Sequence, residues 1–338
     1  QLRRGKPPVY DRAALSLSDA EKQAYEAEGR HPHWRFKLDD SVVEWEDMAR
    51  GHTRVETSSV SDPVLIRADG SWLYSLPSVV DDIDLGITHV VRGEDHVTNT
   101  ATQVQIFHAL GGEAPAFAHL PLMTDAQGGP LSKRLGGLSL EELRADGIEP
   151  MALVSLLAHL GTSDDVEAVT DPRPLVDGFE MSHFGRASPR FDPKQLERLN
   201  ERVLHGLDFD EVKDRLVALG LEDAGPAFWD AVRANLTRFD EAAEWYTVFF
   251  QPTAPDIAEE DRDFCARAAD LLPPEPFDGE TWGRWTGTLK QETGRKGKQL
   301  FMPLRKALTG RARGPELDRV LPLLGRERAR RRLLGETA

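Results

Sequence analysis

The sequence predicts a mixed α/β fold in the first part of the chain and an all-α fold in the last part. Two observations lead to this fold class. Between residues 87 and 110, a short apolar run, a polar cluster and a stretch with helical spacing form one step of a parallel α/β sheet. From about residue 190 onward, the chain contains helical segments and no strand alternation. With 338 residues, the chain is long enough for two or three domains.

Composition narrows the class of protein. Hydrophobic residues make up 40% of the chain, and the longest apolar run, MALVSLLAHL at 151–160, suits a buried helix rather than a membrane span. A single cysteine, Cys265, excludes an internal disulfide and a multi-cysteine zinc site. The opening stretch QLRRGKPPVYDRAAL has no apolar segment, so we expect no secretory signal. We therefore expect a cytoplasmic protein with no zinc site and no membrane partner.

The charge of the chain does not decide whether it binds a nucleic acid. A net charge of −15 argues, taken alone, against a nucleic-acid-binding protein. Cations nevertheless cluster late in the chain, in GRKGK at 294–298 and GRERARRRLL at 325–334. Each run forms either a solvated helix face or a phosphate-contacting surface, and composition does not decide between them.

The first quarter of the chain predicts one helix and several short strands. LSDAEKQAYEAEG at 17–29 indicates a helix that Gly29 ends. HWRFKL, SVVEWEDM and HTRVETSS indicate short strands within 33–59. PVLIRADGSWLYSL at 63–76 indicates a hairpin whose tight turn is Asp69-Gly70.

The α/β step follows at residues 87–112. ITHVV at 87–91 predicts a strand buried on both faces, and the stretch 97–110 predicts a helix that Gly111-Gly112 ends. The polar cluster RGEDH at 92–96 lies between them, beyond the carboxyl end of the strand, where ligands of parallel sheets bind. Arg92, Glu94, Asp95 and His96 are therefore candidate site residues.

Three further features of this region have competing interpretations. RGEDH is alternatively an ordinary turn in which Asp95 is the helix N-cap. The guanidinium of Arg92 could form a bidentate pair of hydrogen bonds with a carboxylate, and Tyr74 could hydrogen-bond an amine or carboxylate. The carboxylates of 81–84 suggest a metal site, but no histidine or third ligand follows at a suitable spacing. We interpret them as solvated or capping groups and predict no metal site.

The loop GGPLSKRLGG at 128–137 carries two adjacent cations, Lys133 and Arg134, between pairs of glycines. Glycines give the flanks backbone freedom, which suits a loop that closes over a polyphosphate. A lysine placed on transferring phosphoryl oxygens stabilises charge that grows in the transition state. On composition alone, a mobile surface turn is the competing interpretation.

After this loop the sequence predicts helices throughout. Ser139 and Glu142 form a capping box and Gly147 ends that helix, while Pro150 begins the next helix and Gly161 ends it. Six helical segments follow: DPKQLERLNERVLHG, DFDEVKDRLVALG, PAFWDAVRANLTRFDEAAEWYTVFF, DRDFCARAADLL, ETWGRWTGTLKQETG and PELDRVLPLLGRERARRRLL. The tryptophans of this half are interpreted as core residues rather than base-stacking platforms: Trp229, Trp245, Trp282 and Trp285.

Together and in this order, these stretches resemble the bacterial glutamyl-tRNA synthetases, which are class I aminoacyl-tRNA synthetases. The resemblance extends over essentially the whole chain, and several stretches are similar to the alphaproteobacterial type. It is strongest in VVDDIDLGITHVVRGEDHVTNTATQ (79–103), FAHLPLM followed by LSKR (117–134), GIEPMALVSLLAHLGTSD (147–164) and GRKGKQLFMPLRKALTG (294–310).

The resemblance implies the second half of a Rossmann-type nucleotide-binding fold, followed by helical stem-contact and anticodon-binding domains. Residues 1–70 would be the remainder of an acceptor-stem-binding insertion, and 71–129 the second half of the catalytic domain. Residues 130–208 would hold the LSKR loop and the stem-contact domain, and 209–338 the anticodon-binding domains.

The resemblance also implies residue roles. Lys133 and Arg134 would be catalytic, within a loop that resembles the KMSKR signature. The implied ATP-binding residues are Leu131, Ser132, Lys133, Asp95 and His96. The implied glutamate-binding residues are Tyr74, Ser78 and Arg92, with Arg92 on the side-chain carboxylate. The basic residues implied to bind tRNA are Arg295, Lys296, Lys298 and Arg305.

The chain departs from the family pattern at three points. No HIGH-type motif occurs, so the chain is expected to begin inside the insertion and to lack the first half of the nucleotide-binding fold. Pro130 stands where the signature loop has its first lysine, which places the catalysis on Lys133. Ser78 stands where the family often has asparagine, and its hydroxyl can still donate one hydrogen bond.

The implied reaction joins glutamate and ATP into glutamyl-adenylate and transfers the glutamyl group to the 3′ end of tRNA-Glu, with tRNA-Gln as a further candidate. Mg²⁺ is expected on the phosphates, and a monomer is expected. A glutaminyl-tRNA synthetase would have a β-barrel anticodon part, and the helical segments of the last part of this chain argue against that family. The truncated relative that modifies tRNA-Asp would lack an anticodon part, and the long helical region that follows the stem-contact region argues against it. The remaining alternative is a non-catalytic tRNA-binding protein derived from a synthetase.

Overall fold

The computed structural model describes residues 9–129, 131 and 139–338. The described residues form two compact units. Unit 1 takes them from 1–131, 159–165 and 178–191, and unit 2 takes them from 132–158, 166–177 and 192–338. The first unit is mixed α/β and the second is helical, which confirms the predicted fold class. The boundaries proposed at residues 70, 129 and 208 stay predictions.

Unit 1 contains the strands and three of the helices of the described chain. The strands are β1 Trp34–Arg35, β2 Val42–Asp47, β3 Gly51–Glu56, β4 Val64–Ile66, β5 His89–Gly93 and β6 Ala116–Leu120. The helices are α1 Asp19–Ala27, α2 Ser75–Asp84 and α3 Val97–Ala109. The helix expected at 17–29 is thus confirmed, and Ser18 closes its N-terminus in a capping box with Glu21.

A four-stranded sheet in the order β3-β2-β6-β5 organises unit 1. Strands β2 and β3 form an antiparallel hairpin, and β6 runs parallel to both β2 and β5. Helix α3 makes the crossover from β5 to β6, as the strand–turn–helix pattern predicted. A small apolar cluster joins α2 and α3 to the sheet; its buried members are Val79, Ile106, Phe107 and Phe117.

Strand β5 is more exposed than the sequence indicated. His89 and Val91 are exposed, and only the alternate residues pack inward. The expectation of burial on both faces is wrong: β5 is the edge strand of the described sheet, and the apolar cluster that joins α2 and α3 to the sheet packs against Val90, whereas His89 and Val91 are exposed. A continuous apolar run does not distinguish an edge strand from a central one.

The hairpin expected at 63–76 forms only in part. The turn at Asp69-Gly70 is present, and Gly70 adopts the left-handed φ of 83° that such turns need. The second strand, however, is a single bridge between Ile66 and Trp72, and α2 begins at Ser75. Pro77 falls in the first turn of α2, where a missing N–H costs no helical hydrogen bond.

Unit 2 is built from helices alone in its described part. They are α4 Leu140–Ala145, α5 Pro150–His159, α6 Arg173–Asp177, α7 Pro193–Gly206, α8 Phe209–Ala218, α9 Pro226–Val232, α10 Ala242–Phe250, α11 Arg262–Asp270, α12 Thr281–Thr293, α13 Lys298–Thr309 and α14 Leu317–Leu333. The capping box of Ser139 and Glu142 and the helix start at Pro150 are confirmed. Helix α13 was absent from the predicted segments.

The prediction that the chain after the loop is helical throughout is wrong between α5 and α7. There the chain is mostly irregular and forms only the short α6 and a 3₁₀ turn. Pro172 and Pro174 lie at the start of α6, where a missing N–H costs no helical hydrogen bond, and Pro189 removes an N–H donor shortly before α7.

The core of unit 2 is apolar and extends from α7 to α14. Trp229 and Trp285 are fully buried, and each indole N–H donates to a backbone carbonyl: Trp229 to Leu207 at 2.8 Å and Trp285 to Ala268 at 3.1 Å. Trp245 is also buried and Trp282 packs half-buried against the same cluster, which confirms their interpretation as core residues. No helix in the described part of the chain has the length and apolarity that a membrane crossing requires.

Candidate functional site

Arg92 lies at the carboxyl end of β5, one residue before the strand ends. Its neighbour across the parallel pair is His119 of β6, so the two side chains leave the sheet on the same face. Helix α3 then passes over this end of the sheet, and the first residues of α2 lie beside it. This is the position in which α/β sheets bind ligands.

The guanidinium of Arg92 is held by four side chains. Nη2 donates to Thr100 Oγ1 at 2.6 Å and to Gln103 Oε1 at 2.7 Å. Nη1 donates to Tyr74 Oη at 3.1 Å, and Nε donates to His119 Nε2 at 3.3 Å. An arginine has five N–H donors, so one N–H of Nη1 has no partner among the described residues. Because Tyr74 accepts from Arg92, its own O–H is free to donate to an anion.

Ser78 joins the same network through Gln103. The amide Nε2 of Gln103 donates to Ser78 Oγ at 2.9 Å while its Oε1 accepts from Arg92. Tyr74 and Ser78 lie one helical turn apart at the start of α2 and therefore face the same way. The structure thus brings together Tyr74, Ser78 and Arg92, which the resemblance had assigned to glutamate.

Behind Arg92, His119 forms a fully buried pair with Asp47. His119 Nδ1 lies 2.5 Å from Asp47 Oδ2, which also accepts from Trp45 Nε1 at 3.2 Å. Asp47 Oδ1 accepts from the backbone N–H groups of His119, Ala49 and Arg50 at 3.0, 3.1 and 3.0 Å. The carboxylate of Asp47 is therefore saturated with donors, as a buried charge must be.

These contacts fix the protonation of the pair. Burial alone would raise the pKa of Asp47, but the hydrogen bonds from His119, the Arg50 N–H and Trp45 hold that pKa below its usual value. Burial lowers the pKa of His119, and this effect outweighs the hydrogen bond to Asp47, which raises it. His119 is thus a neutral imidazole that donates from Nδ1. Its Nε2 lone pair faces Arg92 and also lies 2.8 Å from Thr100 Oγ1.

Asp95 and His96 form the 3₁₀ turn between β5 and α3. The ring of His96 lies 5.6 Å from the ring of Tyr74, so this turn borders the Arg92 network. The interpretation of Asp95 as N-cap of α3 is wrong, because His96 occupies that position and no side chain caps it. Glu94 of the same turn accepts from Arg50 Nη1 at 2.6 Å.

Most of the signature loop is outside the described residues. Pro130, Ser132, Lys133 and Arg134 lie there, and their predicted roles stay predictions. Leu131 is described and is half-buried. In the acidic stretch of α2, burial raises the pKa of Asp82. Among the described residues, no group of three side chains could hold a metal ion.

The basic residues predicted to contact tRNA lie in unit 2 and differ in how they are engaged. Arg295 pairs with Asp261 at 2.5 Å, and its guanidinium lies 4.4 Å from the ring centre of Phe264. Arg305 donates to the backbone carbonyls of Gly314 and Pro315 at 3.0 and 2.8 Å. Their guanidinium groups therefore have partners within the protein. Lys296 and Lys298 are exposed, and neither forms an ion pair with a described residue.

Sequence reasoning missed four residues of this network: Asp47, Thr100, Gln103 and His119. The sequence held a usable signal for Thr100 and Gln103, because the stretch TNTATQ places polar residues on the buried face of α3 beside apolar ones such as Ile106 and Phe107. Buried polar groups require partners, and such a face indicates a polar network. Nothing in the local sequence showed that Asp47 would meet His119 across 72 positions.

The chain matches known proteins both in its domain families and over its whole length. Residues 1–198 match the family described as tRNA synthetases class I (E and Q), catalytic domain, and residues 198–335 match an anticodon binding domain. The chain is 54% identical over 339 residues to "Glutamate--tRNA ligase 1" of Maricaulis maris (strain MCS10), covering 100% of this chain and 76% of that protein. It is 57% identical over 335 residues to "Glutamate--tRNA ligase" of Azospirillum brasilense, covering 99% and 74%.

A solved structure has the same fold. The crystal structure of a glutamate tRNA ligase from Elizabethkingia meningosepticum CCUG26117, in complex with its amino acid, superposes with a TM-score of 0.80 at 23% identity. The match covers 98% of this chain and 74% of that one, so the chain spans about three quarters of the length of the relatives it matches. The relatives from Maricaulis maris and Azospirillum brasilense are alphaproteobacterial, which confirms the type that the resemblance indicated. With both families matched in order and more than half of the residues identical, the chain belongs to the glutamate–tRNA ligases among the class I aminoacyl-tRNA synthetases.

Proposed function

We propose that Arg92 and Tyr74 bind the side-chain carboxylate of L-glutamate and that the full-length protein activates this glutamate with ATP for transfer to tRNA. The observation that carries the proposal is the pair of free donors at the carboxyl end of β5. One N–H of Arg92 Nη1 and the O–H of Tyr74 converge from groups only 3.1 Å apart. A charge-assisted pair of donors suits a carboxylate, because hydrogen bonds between ionised partners are stronger than those to a neutral amide.

The remaining network supports this role through orientation. Gln103 and Thr100 occupy both N–H groups of Arg92 Nη2, so the guanidinium presents its Nη1 edge to the ligand. Ser78 is held by Gln103 and can offer its hydroxyl to a second group of the amino acid. Such fixed donors lower the entropic cost of holding the substrate for reaction.

The nucleotide is proposed to bind beside this site. Asp95 and His96 border the glutamate site through the ring contact of His96 with Tyr74. Lys133 and Arg134, with Leu131 and Ser132, would contact the phosphates of MgATP, since the chemical step is attack of a glutamate carboxylate on the α-phosphorus with release of pyrophosphate. Lysine there stabilises the charge that develops on the phosphoryl oxygens.

The tRNA is proposed to contact unit 2, whose helices match an anticodon binding domain. Lys296 and Lys298 are exposed at the start of α13 and suit phosphate contacts. We propose tRNA-Glu as the partner and tRNA-Gln as a second acceptor, with the protein acting as a cytoplasmic monomer.

The role of Lys133 gives the first test of the proposal. In the full-length protein, Lys133→Ala should lower transfer of labelled glutamate to tRNA by about 100–1,000-fold, because one donor to the transition state is lost. The assay is run separately on tRNA-Glu and tRNA-Gln, which also fixes the acceptor. Lys213→Ala, on the exposed side of α8, is the matched control and should keep the wild-type rate. Wild-type protein that transfers glutamate to neither tRNA would overturn the proposed function.

A further inference from the structure

The buried pair of His119 and Asp47 has no part in the proposed chemistry, yet it directly contacts the residue that binds the substrate. His119 Nε2 is the acceptor for Arg92 Nε, at 3.3 Å. The other three partners of Arg92 come from helices α2 and α3, and His119 is the one that comes from the sheet. The pair therefore connects the sheet to the direction of the guanidinium.

This contact requires one tautomer of His119. A neutral imidazole has one donor nitrogen and one acceptor nitrogen, and Arg92 offers only donors. Nε2 must then carry the lone pair, and Nδ1 must carry the proton. Asp47 enforces this choice, because its Oδ2 accepts from Nδ1 and its Oδ1 already accepts from three backbone N–H groups.

We propose that His119, held by Asp47 as the tautomer protonated on Nδ1, is a positioning residue that aims Arg92 at the side-chain carboxylate of glutamate. The inference rests on the proposed function, since it concerns how the same site is oriented. The alternative is a purely structural pair that fastens β2 to β6. The two differ in which KM values change when the tautomer of His119 changes.

Asp47→Asn changes the tautomer while keeping the size of the side chain. Three backbone donors surround Oδ1, so the amide oxygen takes that place and the amide nitrogen takes the place of Oδ2, where Trp45 Nε1 also loses its acceptor. The –NH₂ group then donates to His119 Nδ1 and moves the imidazole proton to Nε2. That proton can be donated to Thr100 Oγ1, 2.8 Å away, while Arg92 Nε, at 3.3 Å, loses its acceptor and faces a donor, which turns the guanidinium away.

The expected result in the full-length protein is a rise in KM for glutamate of roughly 10-fold or more, comparable to losing one hydrogen bond to a charged group. KM for ATP should stay near the wild-type value. His119→Phe should have the same effect on glutamate. His119→Gln should restore most of the glutamate affinity, because its Oε1 can accept from Arg92 near the position of Nε2.

Two further comparisons separate positioning from structure. Asp47→Asn introduced into His119→Phe should raise KM for glutamate no further, because Asp47 acts through His119. Asp164→Asn is the control, since Asp164 forms a similar Nδ1–carboxylate contact with His183 at 2.7 Å in unit 1, at an exposed position and with no hydrogen bond to Arg92. It should leave both KM values unchanged.

Nitrogen-15 NMR of the imidazole reports the tautomer without any assay of activity. We expect protonated Nδ1 and unprotonated Nε2 in the wild type, and the reverse in Asp47→Asn. Wild-type His119 protonated on Nε2 would overturn the inference. So would variants in which KM for glutamate and for ATP change together with a lower melting temperature, or in which neither changes. A wild-type protein that charges no tRNA would instead overturn the proposed function, so the two failures are distinguishable.

Discussion

The interiors of the two units differ in chemistry. Beneath the sheet end of unit 1, the buried side chains are largely polar and surround Arg92: Asp47, Thr100, Gln103 and His119. The interior of unit 2 is an almost continuous apolar cluster that extends over α7 to α14. Apolar burial stabilises without regard to direction, whereas a satisfied polar network fixes the orientation of each member. The polar network of unit 1 thus fixes the orientation of the Arg92 guanidinium, whereas the apolar core of unit 2 stabilises its helices.

One buried arginine in unit 2 sharpens this contrast. Arg332 is fully buried and donates to the backbone carbonyls of Ala338, Leu308 and Gln251 at 2.7, 2.7 and 3.2 Å. Its acceptors are backbone atoms that join separate segments of the unit. Arg92 is instead held by four side chains and keeps one N–H available. Burial of an arginine therefore does not by itself indicate a binding site. Side-chain partners that leave one N–H available, as at Arg92, do.

The largest effect is expected in the apolar core. Trp229→Ala should lower the free energy of unfolding by about 3–5 kcal/mol, because it removes a fully buried indole and leaves a cavity. Urea unfolding followed by circular dichroism measures this change. Trp282→Ala is the matched control, and its half-buried ring should make the loss smaller. Equal losses for the two variants would contradict the placement of the core.

The second largest effect is expected at Arg92. Arg92→Lys keeps the charge but loses the fork that serves four partners, so KM for glutamate should rise roughly 10–100-fold. Steady-state aminoacylation by the full-length protein measures it, with KM for ATP expected to stay near the wild-type value. Arg54→Lys, at an exposed arginine on β3, provides the control. An unchanged KM for glutamate in Arg92→Lys would contradict the claim that the polar network of unit 1 orients Arg92 toward glutamate.

Much of this contrast was readable from the sequence. Helical spacing predicted the all-α unit, and the tryptophans Trp229 and Trp285 were placed in its core. The resemblance selected Tyr74, Ser78 and Arg92, which the structure brings into one network. Periodicity reports local structure, however, and could not reveal a contact set by the register of β2 and β6. For the same reason, the edge position of β5 was missed.

The smallest effect is a loss of stability at acidic pH, and it should come from the pair of Asp47 and His119 in unit 1. The folded-state pKa values of Asp47 and His119 are both lowered, so the unfolded state binds more protons in acid. Their contribution to stability is full above the unfolded-state pKa of histidine, about 6.5, and is lost as the pH falls through the folded values. Burial lowers the pKa of Arg332 to about 10, so Arg332 is charged throughout this range and adds no dependence on acid.

Melting temperatures between pH 7 and pH 5 measure this difference. The wild type should lose stability as the pH falls, and His119→Gln should lose less, because its amide does not titrate. The same steepness in both proteins would show that His119 does not titrate as the buried contacts require.

The most direct test of the central claim is a crystal structure of the full-length protein with bound L-glutamate. The arrangement of Arg92 and Tyr74 predicts the side-chain carboxylate within hydrogen-bonding distance of Arg92 Nη1 and Tyr74 Oη. It also predicts that Arg92 keeps its contact with His119 Nε2. Glutamate bound with its side chain away from Arg92, or Arg92 turned from His119 in the complex, would contradict the assignment of this network as the amino-acid site.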